Sequence, residues 1–324
     1  MTGKPKSGVA RVYTVLAGGV GASRFLQGLA QVAPQREISV ISNTGDDVDM
    51  FGLRVSPDTD IVIYALAGAV NPETGWGLQG DTLHVVQALR RYGYADWFNL
   101  GDRDLATAIH RTRLMREGWP MHRIVADIAR AWELETAILP MSDDRMETRI
   151  VSPDGEIPFQ EYMVRLKTEV EVRDFVFDGA DRATPAPGVL EAIRDTEMVI
   201  FAPSNPFVSI GPILAVPGVR TAIEQAQGAR VAISPIIGGK VVKGPAAQMM
   251  ASLGHEVSAV GVARIYQGFI DLMVIDEEDR ALAPQVEALG MACHVTDTMM
   301  TSDERKAELA ADVLAAARAV RQRV

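Results

Sequence analysis

Short apolar runs alternate with stretches of helical period along the first hundred residues. Residues 12–17 form an apolar run stopped by Gly18-Gly19-Val20-Gly21, which predicts a strand and then a tight loop. Beyond it Phe25, Leu26, Leu29 and Val32 recur at helical spacing, so a helix is expected from Ser23. Residues 38–41 predict a second strand, ending in the polar run Ser42-Asn43-Thr44-Gly45-Asp46-Asp47. Asp60 is expected to cap a helix over residues 61–69. Asp81 is expected to cap another, through Leu83, Val86 and Leu89, that Gly93 ends.

Residues 105–134 read as helical. From 147 to 177 the pattern changes to alternation around Pro153-Asp154-Gly155, which predicts a hairpin or edge strands. Strands are expected at 198–202, 230–233 and 270–275, each running into a polar loop, and an alanine-rich helix after Ser302 closes the chain. The fold class is α/β: a mainly parallel sheet with helices on both faces, plus a smaller helical and hairpin insertion. Residues 1–104 and 196–324 are assigned to the core and 105–195 to the insertion. Ligands of such sheets bind beyond the carboxyl ends of the strands, where the polar loops fall.

Composition narrows the chemistry. The 324 residues carry 32 Lys plus Arg against 42 Asp plus Glu, a formal charge of −10. Such a chain repels a phosphate backbone and has no basic block, so nucleic acid is excluded as an expected partner. Any bound phosphate must be held by local backbone groups or by a metal. The apolar run at 61–70 is too short to cross a bilayer, and no membrane association is expected. Cys293 is the only cysteine, which rules out an internal disulfide and fits a cytoplasmic location.

Gly18, Gly19 and Gly21 lie between a strand and a helix, where backbone N–H groups can approach an anion, or where glycine simply permits a tight turn. A dinucleotide fingerprint is incomplete: Arg24 stands at its third glycine, and the second strand ends at Ser42-Asn43 rather than at an acid. An NAD-dependent oxidoreductase is therefore demoted. Asp46, Asp47, Asp49, Asp58 and Asp60 crowd one strand end and suit Mg2+, a cation of oxygen ligands, although any single one serves equally as a cap. The histidines show no zinc spacing. Arg103 and Arg145 sit in loops of mixed charge and can brace those loops or offer a fork to phosphate. Ser204, Asn205, Ser209, Gly211 and Ser234 belong to later strand-end loops rich in donors. No G-x-S-x-G elbow supports a covalent serine mechanism.

The ordered blocks LAGGVGASRFLQGL, NTGDDVDMFGLRVSPDTD, GWGLQGDTLH, WFNLGDRDLATAIHRTRLMREG, ILPMSDDRMETRI, FQEYMV, APSNPFVSIGPILAVPG and SPIIGGKVVKGPA resemble the 2-phospho-L-lactate transferase family of deazaflavin coenzyme F-420 biosynthesis. The resemblance runs from about residue 12 to 276. It implies a Rossmann-like, Mg2+-dependent enzyme that works as a homodimer. Such an enzyme moves a phosphorylated three-carbon acid from a GDP-activated donor to the ribityl hydroxyl of 7,8-didemethyl-8-hydroxy-5-deazariboflavin (Fo), releasing GMP. The Thr-Gly-Asp-Asp form of the acidic motif is closer to bacterial relatives and implies phosphoenolpyruvate or another phosphorylated three-carbon acid in place of phospholactate, with the acid itself left open, while Gln79 replaces a basic residue of many relatives. The resemblance implies Asp47 as the catalytic residue, with Asp58 or Asp60 beside it on the metal. Gly18, Gly19, Gly21, Asn43, Thr44, Asp81, Arg103, Arg145, Ser204, Asn205, Ser209, Gly211 and Ser234 are expected to bind substrate or nucleotide. Asp47→Asn is expected to abolish turnover with the fold intact. The rival classes are a non-catalytic nucleotide-sugar-binding regulator of the gluconeogenesis-factor type and the demoted oxidoreductase.

Overall fold

The computed structural model describes residues 12–94 and 97–322. Seven strands build the central sheet: β1 (Tyr13–Ala17), β2 (Ile38–Ser42), β3 (Ala137–Pro140), β4 (Met198–Phe201), β5 (Ala229–Ile233), β6 (Leu272–Asp276) and β7 (Ala292–Thr296). Their spatial order is β3-β2-β1-β4-β5-β6-β7, and every neighbouring pair is parallel. This is the α/β architecture that the alternating pattern implies.

Parallel strands covered on both faces are apolar throughout, and β1, β2, β4 and β6 are buried at every position. Successive side chains point to opposite faces. Leu16, Phe201 and Met273 therefore enter one core cluster, and Val15, Ile200 and Val274 the other. β3 and β7 are edge strands that the sequence reading missed. Their segments are short, and β7 is only half-buried, so neither carries a long apolar run.

Helix α1 (Gly19–Val32) follows β1 and buries Phe25, Leu26 and Leu29, as the spacing implies. Helix α2 (Pro57–Leu66) begins four residues earlier than expected, with Ser56 at its N-cap position, so Asp58 and Asp60 lie in its first turn. Acids are favoured there by the helix dipole. The stretch expected to be helical over 105–134 forms two helices, α3 (Asp102–Arg116) and α4 (Met121–Ala131). Gly118, with φ of +83°, and Pro120 separate them. Asp81 does not cap the helix His84–Leu89, whose N-cap position is Leu83. Its carboxylate instead accepts the N–H groups of Arg103, at 2.9 Å, and Asp104, at 3.3 Å, and so holds the start of α3.

The hairpin turns at the expected place. Gly155–Pro158 pairs antiparallel with Glu147–Ser152, which Asp174–Asp178 flanks on its other side. The C-terminal helix α5 (Asp303–Arg321) lies along α1 so closely that a Cβ on Gly28 would stand 2.0 Å from the Lys306 carbonyl oxygen. The strand order reverses between β1 and β4, and the carboxyl end of that junction is where open α/β sheets form their crevice.

Candidate functional site

Two loops meet at this reversal point. After β1 the chain turns through Gly18 into α1, and after β4 through Pro203-Ser204-Asn205 into the turn Pro206–Ile210. A Cβ on Gly21 would lie 2.0 Å from the Pro203 carbonyl oxygen, so only glycine lets the loops close on each other. Ser204 Oγ donates to the Gly18 carbonyl at 2.8 Å and ties them. Asn205 Oδ1 accepts the Phe207 N–H at 2.9 Å, and Ser234 Oγ donates to the Ile236 carbonyl at 2.9 Å. Ser204 and Ser234 thus spend their hydroxyl donors, and Asn205 its carbonyl oxygen, on shaping their own loops.

Between the loops opens a cleft of about 460 Å³. It gathers most of the expected residues: Gly18, Gly19, Gly21, Asp58, Asp60, Ser204, Asn205, Ser209 and Ser234 all line it. Asn43 stands just behind, donating through Nδ2 to Asp58 Oδ2 at 2.9 Å and to the Val208 carbonyl at 3.1 Å. Gly211 is packed against Phe177. Other expected residues lie elsewhere. Thr44, Asp47 and Arg145 line a separate pocket of about 110 Å³. Arg103 Nη1 donates to the Gln79 carbonyl at 2.9 Å.

The acidic turn divides its two aspartates. Asp46 faces the cleft, whereas Asp47 accepts from Ser56 Oγ at 2.7 Å and pairs with Arg54 at 3.3 Å. Adjacent residues of a tight turn point to different sides, a difference the string Asp-Asp cannot show. Burial, and then the charge of Asp58, push the Asp46 carboxyl well above its ordinary range. Thr148 and Asn43 draw it partly back, yet Asp46 Oδ1 keeps no hydrogen-bond partner. Burial raises Asp58 to about 6 despite its bonds from Asn43 and Gly19. Asp60 is likewise raised by burial and held down by fully buried Arg111, its ion-pair partner.

Asp46 and Asp58 thus form a buried, mutually repelling pair of oxygen donors, one oxygen of which is unpartnered. That donor set fits a hard divalent cation such as Mg2+, which completes its shell with water and substrate phosphate.

Three further contributors escaped the sequence reading as site residues. Asp104, on the first turn of α3, lines the cleft, and burial followed by the charges of Asp60 and Asp81 raises it to about 6. Arg24 and Lys243 supply its cations. Trp76, Phe98, Phe159 and Met163 add apolar surface to its lining. The charged loop at 101–104 and the block GGKVVKGPA signalled two of these, but no local pattern aims them at β1.

Comparison with known proteins bears on this geometry. The model of the family 2-phospho-L-lactate transferase CofD matches residues 13–316. A phosphoenolpyruvate transferase of Streptomyces griseus is 47% identical over 313 residues, covering 95% of this chain and 98% of that protein. Another, of Streptomyces coelicolor, is 45% identical over 95% of this chain and 98% of its own length. One of Thermobifida fusca is 43% identical over 89% and 94%. Among solved structures, a UPF0052-family protein of Bacillus halodurans superposes with a TM-score of 0.60 at 17% identity, over 94% of this chain and 99% of that one. At that identity the likeness is one of fold.

Proposed function

The chain belongs to the 2-phospho-L-lactate transferase CofD family, a family of transferase enzymes, and from that premise we propose that its own substrate is a GDP-activated phosphoenolpyruvate. In this reading the primary hydroxyl of the ribityl chain of Fo attacks the phosphorus that carries the three-carbon acid. The new P–O bond forms as the bond to the α-phosphate breaks, GMP leaves with the electron pair, and the hydroxyl proton passes to a carboxylate. The names borne by relatives at 43–47% identity favour phosphoenolpyruvate over phospholactate.

One observation carries the reading: the glycine loop, the acidic turn and the Ser-Asn-Pro loop, far apart in sequence, line a single cleft with acidic and apolar surface. Asp46 and Asp58 are the residues to hold Mg2+. When bound there, the ion supplies neutralising charge to phosphate oxygens. A deazaflavin ring suits the apolar surface of Trp76, Phe98 and Phe159, since flat aromatic surfaces stack. With a good leaving group, the remaining demands are alignment and a proton acceptor.

Asp104 is the acceptor by elimination. Asp60 is committed to Arg111, Asp47 lies outside the cleft, and Asp46 and Asp58 would be the residues to hold the metal. Asp104 has no cationic partner among the described residues, and a raised proton affinity suits a general base. The test is incubation with Fo, Mg2+, GTP, a partner guanylyltransferase and each three-carbon acid in turn, with products weighed by mass spectrometry. A product that carries the phosphoenolpyruvyl group supports the reading. Fo recovered unchanged from every mixture refutes it.

A further inference from the structure

Among the described residues, two cations lining the cleft stand without a counter-charge. Arg24 projects from α1 and Lys243 from the loop after the short strand Lys240–Val241, and both line the cleft. Elsewhere this chain pairs its buried and half-buried arginines: Arg54 with Asp47, Arg111 with Asp60, Arg149 with Glu147, Arg230 with Asp271. Among the described residues Arg24 has neither an ion pair nor a hydrogen bond through its guanidinium. Lys243 Nζ donates only to a neutral group, the Thr74 carbonyl, at 2.7 Å.

The two charges converge. The position that a Cβ on Gly75 would occupy lies 3.3 Å from Arg24 Nη2 and 4.0 Å from Lys243 Nζ. Gly75 has φ of +70°, so glycine is favoured there and the space between the cations stays open. Lys243 is exposed at the rim, and partial burial, with the charge of Arg24 as the lesser cause, holds its ammonium below its ordinary range. Among the described residues no carboxylate of the same cleft pairs with either cation: Asp60 pairs with Arg111, Asp58 accepts from Asn43 and Gly19, and neither Asp46 nor Asp104 makes an ion pair.

A pair of converging, unneutralised cations is a site for an anion with several oxygens. Guanidinium and ammonium donors to phosphate make the stronger, charge-assisted class of hydrogen bond. The expected alternative, the N–H of Gly19, is already spent on Asp58 Oδ1 at 2.9 Å. We propose that Arg24 and Lys243 bind the phosphate oxygens of a nucleoside diphosphate, taking over the anion recognition first expected of Gly19. This deepens the transferase reading and rests on it for the identity of the cleft.

Calorimetric titration of the metal-free protein with GDP, inorganic diphosphate and phosphoenolpyruvate tests the assignment. Arg24→Gln and Lys243→Gln should each weaken GDP and diphosphate about tenfold, the size of one charge-assisted contact, and the double variant about a hundredfold. The dependence of affinity on salt should become shallower in each variant, and Lys243→Arg should restore both affinity and slope. A Lys243 that only ties the loop to Thr74 would weaken GDP with the salt slope unchanged, and that result overturns the proposal. So does a loss confined to phosphoenolpyruvate, or a wild-type protein that binds no diphosphate. The transfer assay separates the two claims. Variants that lose GDP in a protein inactive toward Fo leave the pair standing and the transferase reading fallen. Variants that bind GDP normally in an active enzyme remove the pair alone.

Discussion

The carboxylate of Asp58 accepts the backbone N–H of Gly19 at 2.9 Å, so the first donor of α1 is satisfied by a side chain from the first turn of α2. The same carboxylate takes the amide of Asn43 at 2.9 Å. Asp58 is thereby the joint between the glycine loop and the acidic turn. Its charge, rather than its shape, is what the cleft requires if it holds a divalent cation with Asp46.

Asp58→Asn removes the charge and keeps one of the two bonds, since its amide oxygen still accepts the Gly19 N–H while its NH2 faces the Asn43 amide donor. Turnover in the transfer assay should fall by about 10²–10³, the usual cost of one electrostatic contact to the reacting group. The variant should also lose stability, because a buried donor then faces Asn43, so turnover is compared per folded molecule. An equal loss from stability alone, with turnover per folded molecule unchanged, would remove Asp58 from the metal site.

Asp46 and Asp47 should behave oppositely although they are neighbours. Asp46→Asn should abolish Mg2+-dependent turnover, again by about 10²–10³, in a folded protein. Asp47→Asn leaves Arg54, which is 7% exposed, with only the solvent-exposed Asp49 at 3.5 Å. Removing one partner of a buried pair costs about 3–5 kcal/mol, so this variant should melt early yet turn over normally once folded. Chemical denaturation together with single-turnover rates distinguishes the pair.

Acid should stabilise the metal-free protein. Asp47 and Asp58 are raised from 3.8 to about 6 by burial, so the folded state binds protons more tightly than the unfolded one between those values. Stability therefore increases as pH falls from 7 toward 5, and is lost as pH rises through 6. Mg2+ should flatten this profile by favouring the ionised form of Asp58. Thermal melts at pH 5 and 7.5, with and without chelator, check it. Activity should run the other way, because Asp104, raised to about 6, must be ionised to accept a proton.

Two glycines test how loop contact serves the site. Gly21→Ala and Gly28→Ala each drive a methyl to 2.0 Å from a carbonyl oxygen, of Pro203 and of Lys306 respectively. Each should cost about 1–3 kcal/mol by overpacking. Only the first should also reduce turnover per folded molecule, because it parts the loops that line the cleft. The Gly28 variant moves α5 against α1, away from the catalytic residues.

Much of this was legible in the chain. The apolar stop at Gly18, the period of Phe25, Leu26 and Leu29, and the turn at Pro153-Asp154-Gly155 are local signals, and each element formed where its signal lies. The expected caps went astray at Asp60 and Asp81. A capping carboxylate is chosen by which N–H groups the folded chain brings near it, and Asp81 found those of α3, beyond its own helix.

The sequence by itself determined that polar loops follow apolar strands, and that acids, glycines and donors concentrate in those loops. Strand period, turn chemistry and the steric freedom of glycine act over a few residues and need no partner. Only the tertiary structure decided that Asp46 rather than Asp47 enters the cleft, that Gly19 is taken by Asp58, and that Arg24 meets Lys243 across Gly75. These are relations between side chains brought together by parallel crossovers, and direction and distance in space have no counterpart in the order of residues along a chain.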